Sequence, residues 1–115
     1  MFEWLSNAMG LAAKPRQKRS SKWPKLRAEY LLDHPVCAAC GYENDLEVHH
    51  ALPFHLVPDR ELDVTNLITL GERCPSGNHH FIYGHSLDWQ AYNPHVFADA
   101  ATMRLRIAGR LYKVP

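Results

Sequence analysis

Six of the chain's eight histidines, His49, His50, His55, His79, His80 and His85, fall between residues 49 and 85, with Cys37 and Cys40 ahead of them and Cys74 among them. Cys37-x2-Cys40 is the spacing at which two thiolates grip one tetrahedral ion while amides of the turn bond to the sulfurs. Gly41 suits the sharp turn that follows the second thiolate in such a knuckle. A redox CxxC needs a strand before it and a helix opening at it. Here Pro35 precedes the motif and Gly-Tyr-Glu-Asn follows it, so a metal is the better fit. Cys74 supplies a third thiolate, and the run Cys74-Pro-Ser-Gly-Asn-His79-His80 offers His79 or His80 as the fourth ligand, with His79 preferred. We expect a structural zinc ion on Cys37, Cys40, Cys74 and His79. An odd number of cysteines also argues against a disulfide scaffold.

The second cluster begins with Glu47-Val48-His49-His50. Side chains alternate along a strand, so the two adjacent histidines must do different jobs. One can ligate a metal while the other faces a substrate. Asn66 follows sixteen residues after His50, and His80 stands at the start of a later helical segment. His85 lies five positions beyond His80, off the face an α-helix would share with it, and stays open as a further metal ligand, a phosphate contact or a helix-end polar residue. His55 is either a phosphate contact or a loop histidine, and His34 and His95, each beside a proline, are assigned no chemistry.

These side chains need elements to hold them. Ser21 reads as the cap of a helix with Pro24 in its first turn and Trp23, Leu26 and Tyr30 on one stripe, stopping before Pro35. Leu46, Val48 and His50 alternate with Glu47 and His49 as a strand does. Residues 51–65 carry Pro53 and Pro58 and read as a long loop, and Asn66 opens a second strand through Leu70. A helix begins near His79. Asn93-Pro94 starts a last helix with Val96, Ala100, Met103 and Ile107 on one face, ended by Gly109. Trp89 and Tyr92 are expected to pack that helix on the zinc knuckle, with Phe81 and Tyr83 in the core. Residues 2–12 form a short, weakly specified amphipathic segment. Strands this short bury little, and a core so broken calls for a metal staple. The expected fold class is α+β, a small two-stranded core with flanking helices and a zinc knuckle.

The formal net charge of the 115 residues is only +1, but it is segregated. Residues 1–28 hold seven Lys/Arg against Glu3 alone, residues 29–73 hold nine Asp/Glu against Arg60 and Arg73, and residues 74–115 hold four Lys/Arg against Asp88 and Asp99. The run KPRQKRSSK lacks aliphatic residues and reads as a mobile basic arm over residues 1–21, ahead of a single domain over 22–115. Lys14, Arg16, Lys18, Arg19 and Lys22 are candidates for sequence-blind phosphate contact by counterion release. With 46% hydrophobic and 22% charged residues, and no apolar run near the roughly 20 residues of a membrane span, an integral membrane protein is excluded. The N-terminus, with Glu3 in its apolar part and no basic start, does not read as a secretory signal.

In combination, WPKLRAEYLLDHPVCAACG, LEVHHALPFH, NLITL and the closing Cys74 to HHFIYGH resemble an HNH endonuclease of the ββα-metal (His-Me finger) type, the zinc-stapled kind found in phages and prophages. The resemblance spans roughly residues 22–97. It implies that His49 binds a catalytic divalent ion, His50 is the general base, Asn66 orients that base through backbone contacts and His80 is a second ligand to the ion. The family commonly carries a second Cys-x-x-Cys after the second strand; here Cys74 stands alone and His79 holds the slot before His80. The resemblance further implies DNA as substrate, a bacterial or phage-infected cytoplasm, a possible homodimer and a place near phage packaging machinery. The chemistry agrees: a neutral imidazole can take a proton from water near pH 7, and a divalent ion can stabilise the departing 3′ oxygen. Imidazole ligands favour Mn2+, Ni2+ or Co2+ at least as much as Mg2+. Two other classes fit parts of the pattern: a non-catalytic zinc module that binds nucleic acid, and a zinc-dependent protein-interaction domain. Neither gives a His-His pair ahead of an Asn-led strand anything to do.

Overall fold

The computed structural model describes residues 17–111. Lys14, Arg16 and the segment 2–12 lie outside them. The described chain is α+β, a two-stranded antiparallel sheet with helices around it. Helix α1 runs Trp23–Asp33, with Pro24 in its first turn, where a missing N–H costs nothing. Its cap is Lys22, without a side-chain bond, rather than Ser21. The hydroxyl of Ser20 instead accepts the Lys22 N–H at 3.1 Å, closing a turn ahead of the helix. The helix ends at His34 because Pro35 forbids helical geometry there. Trp23, Leu26 and Tyr30 are all partly buried, as their spacing predicts. Tyr30 donates its hydroxyl to the Leu67 carbonyl at 2.9 Å and Arg27 pairs with Glu47 at 3.1 Å, which fastens α1 across the sheet.

Strand β1, Leu46–His50, pairs with β2, Leu67–Gly71, in the register Leu46↔Gly71 to His50↔Leu67. The second strand starts one residue later than expected. Asn66 sits in a 3-10 turn, Val64–Asn66, that Asp63 caps by accepting the Thr65 N–H. Every residue of β2 is buried. Before β1, the knuckle Cys37–Gly41 is closed by the Gly41 N–H donating to the Cys37 carbonyl at 2.7 Å, and Gly41 takes a φ of +83°. That left-handed conformation is one few other residues adopt cheaply.

Helix α2, Val96–Leu111, buries Val96 and Ala100 and half-buries Met103 and Ile107, the predicted stripe. Asn93 starts it as expected: its Oδ1 accepts the His95 N–H at 2.9 Å. Gly109 does not end it. The position is open to solvent, so the helix continues through it at the usual glycine cost of about 1 kcal/mol. The buried cluster is Cys37, Ala39, Ala51, Ile68, Leu70, Cys74, Val96 and Ala100. Two of its members are thiols, so the knuckle is the centre of the core. No helix among the described residues is long and apolar enough to cross a membrane.

Candidate metal centres and cleft

Cys37, Cys40, Cys74 and His79 come together with all four ligand atoms within 4.8 Å of one another. Cys37 Sγ stands 3.5 Å from His79 Nδ1. That is the edge of a tetrahedron with arms of about 2.3 Å to sulfur and about 2.0 Å to nitrogen. The other ring nitrogen, Nε2, is hydrogen-bonded to Ser76 Oγ at 2.8 Å, which holds the ring with Nδ1 toward the thiols. Burial, with Cys40 and Cys37 alongside, pushes the Cys74 thiol far up. Crowded, desolvated sulfurs resist ionising until a cation neutralises them. The backbone is shaped to the sulfur as well, since a Cβ on Gly71 would run into Cys74 Sγ. A Cys3His set with this spacing is compatible with zinc.

His49, His80 and His85 form a second convergence, again within 4.8 Å. His80 Nε2 lies 3.1 Å from His49 Nδ1. Two nitrogens each about 2.1 Å from one ion stand about 3 Å apart. The far nitrogens of two rings are anchored: His80 Nδ1 donates to Glu72 Oε2 at 3.3 Å and His85 Nδ1 to the Ala91 carbonyl at 2.8 Å. Such bonds fix the tautomer so that Nε2 keeps its lone pair for a ligand. Burial, with His80, His85 and His50 adding to it, holds His49 down at about 3. Burial also lowers His80. Neutral imidazoles converging on one point fit a divalent transition ion.

His85 belongs to this set because residues His80–Gly84 form a π turn. Five residues of α-helix would rotate His85 about 140° from His80. The wider turn, with bonds from i to i+5, brings both onto one side. Gly84 lets the turn sit against the site: a Cβ there would lie 3.1 Å from His49 Nδ1. Trp89 is not on the knuckle. It is 51% exposed and its ring lies over His80, His85 and Phe81, with centroids 4.8–5.3 Å away. Tyr83 packs on the core and against His79 as expected.

His50 takes a different environment from His49. Its Nε2 donates to the Glu61 carbonyl at 2.9 Å, and its ring packs on Trp23 with centroids 4.5 Å apart. A carbonyl only accepts, so the proton is on Nε2 and Nδ1 carries the lone pair. Burial lowers its pKa, opposed by the Glu61 carbonyl. Asn66, 1% exposed, spends its side-chain hydrogen bonds on the backbone of the 51–66 loop rather than on the His50 ring. Its Oδ1 accepts the Leu52 N–H at 2.8 Å and its Nδ2 donates to the carbonyls of Leu52 at 3.1 Å and Arg60 at 3.3 Å. It therefore clamps the 51–66 loop one residue from the carbonyl that holds His50.

A cleft of about 410 Å³ opens on this region, lined by Arg19, Glu47, Val48, His49, His50, Pro53, Phe54, His55, His80 and His85. Lys18 and Lys22 are exposed, but Arg19 is not part of a loose arm. It pairs with Glu61 at 3.3 Å and its guanidinium packs on Phe54 at 4.6 Å. Ser20 N–H donates to the other Glu61 oxygen at 3.0 Å, so the arm is already docked before residue 21. Glu61, Glu72, Ser76, Gly71 and Gly84 all serve these sites, and the sequence reading passed over them. Only Ser76, three residues before His79, carries a local signal. No protein-family model, curated protein or solved structure matches this chain.

Proposed function

We propose that this protein is a metal-dependent DNA endonuclease of the HNH type, with His50 as general base and a divalent ion on His49, His80 and His85. The order β1, long loop, β2 and π turn supports a ββα-metal core, with zinc on the Cys3His cluster as its staple. The single observation that carries the proposal is the pairing of two imidazole chemistries on one cleft: three histidines aimed at a common point, and His50 beside them with its proton fixed on Nε2.

In this reading His50 Nδ1 accepts the proton of the attacking water, and the Glu61 carbonyl stabilises the imidazolium that results. Burial keeps the base neutral near pH 7, which is the state a general base must start from. Asn66 acts as a positioning residue by holding the loop that presents the Glu61 carbonyl. When bound, the divalent ion supplies charge to the scissile phosphate and the leaving 3′ oxygen. An ion held by His49, His80 and His85 would keep coordination positions for phosphate, as a catalytic site requires.

Supercoiled plasmid incubated with the protein and Mn2+ should be nicked. His50→Ala should cut at least about 10²-fold more slowly while keeping its zinc and its fold. Equal cutting by this variant would remove His50 as the base. Binding of DNA without cutting, under Mn2+, Ni2+, Co2+ and Mg2+ alike, would instead identify a non-catalytic nucleic-acid-binding module.

A further inference from the structure

The cleft has metal ligands and a base but little positive charge of its own. Among the described residues lining it, Arg19 carries the one guanidinium and Glu47 the one carboxylate. Arg19 is held for a purpose other than burial, since its side chain remains 49% exposed while that of its partner Glu61 is 6% exposed. Only Nη1 is used by the carboxylate. A guanidinium has five N–H donors in a fixed plane, so among the described residues most of the fork is left for a phosphate oxyanion. Packing on Phe54 and Trp23 restricts that plane, which reduces the entropy lost when a ligand binds.

Glu61 has three attachments at one point. Its two carboxylate oxygens hold the Arg19 guanidinium and the Ser20 N–H, and its main-chain carbonyl holds His50 Nε2. The geometry points to Arg19 as the cleft's phosphate clamp and to Glu61 as the positioning residue that ties this clamp to the base. The assignment rests on the nuclease proposal for the nature of the substrate, a phosphodiester, and adds the residues that hold it. A phosphate on Arg19 is thereby registered against His50 through one buried side chain rather than through a loose arm.

The test is a double-mutant cycle on Arg19→Ala and Glu61→Gln in the full chain, read by kcat and KM with Mn2+ and by Kd for a short fluorescein-labelled DNA duplex without added Mn2+. Glu61→Gln keeps the side-chain shape and the main-chain carbonyl, and zinc content with circular dichroism checks that each variant is folded. Arg19→Ala should raise KM and Kd about tenfold, the scale of one charge-assisted hydrogen bond, with kcat little changed. Arg19→Lys should recover part of the loss. Glu61→Gln should shift KM the same way, and the double variant should be no worse than Arg19→Ala alone, because both act through one contact. Unchanged KM and Kd in Arg19→Ala, or effects of the two substitutions that simply add, would overturn the assignment. If the wild-type protein binds the duplex yet never cuts, the nuclease proposal fails and the Kd cycle alone decides for or against Arg19. A wild-type protein that does not bind the duplex overturns both.

Discussion

Histidines in this chain are distinguished by what their second nitrogen touches. Glu72, the Ala91 carbonyl and the Glu61 carbonyl each take one ring N–H and so decide where the lone pair goes. His50, with its pKa held below the ordinary histidine value of about 6.5, should give a pH profile for cutting whose rising limb has its midpoint below that value. A limb centred above 7 would require a different base. Asn66→Ala leaves the Leu52 N–H and the Leu52 and Arg60 carbonyls without this partner. We expect a loss of about 1–3 kcal/mol in urea unfolding together with a fall in kcat at unchanged KM, since Asn66 positions the base and does not contact substrate.

At the scale of elements, the π turn is the device that makes a three-histidine site. Its extra residue widens His80–Gly84 so that His85 rejoins His80. His85→Ala removes the third imidazole and leaves the spacing of the turn unchanged. Mn2+ affinity, measured by isothermal titration, should drop at least about tenfold, the scale seen when support for a metal ligand is lost. His85 is not among the Cys3His ligands, so one zinc per chain should remain by elemental analysis. Retained Mn2+ affinity would show that His85 is not a ligand. The sheet makes the complementary contribution: β1 delivers His49 and His50 side by side, and the β2 register sets the Asn66 turn beside them.

Taken as a whole, the molecule has a core that includes two of its candidate zinc ligands, Cys37 and Cys74, among its buried residues. Metal removal should therefore unfold it. Prolonged chelation, or Cys37→Ser, should abolish the cooperative melt, and re-addition of zinc should restore it to the chelated wild type. Acid should act in the same direction. Folded-state pKa values of His49, His50, His79 and His80 all lie below the unfolded value, because burial disfavours the charged ring. Between about 6.5 and those values the unfolded chain binds more protons. The folded protein should thus hold this contribution to its stability above pH 6.5 and lose it as the pH falls, with His49 contributing down to about 3. Thermal melts at descending pH check the sign.

The donor chemistry was legible in one dimension. Cys37-x2-Cys40, Cys74, the His49-His50 pair and the stripes of α1 and α2 depend on residue type and local period, and these survive in the linear order. The Cys3His set and its preference for His79 over His80 could be stated from that order, and the structure brings those four ligands together. Local propensity also misled: Gly109 did not stop a helix whose inner face was already buried, and the basic segment was docked by a carboxylate more than forty residues away. The recruitment of His85 by a π turn, the placing of Trp89 over the imidazoles and the attachment of Arg19 and His50 to Glu61 were decided only in three dimensions. Each depends on a partner far off in sequence or on a departure from helical period, and burial, which sets the protonation of the histidines, exists only once the chain has closed around them.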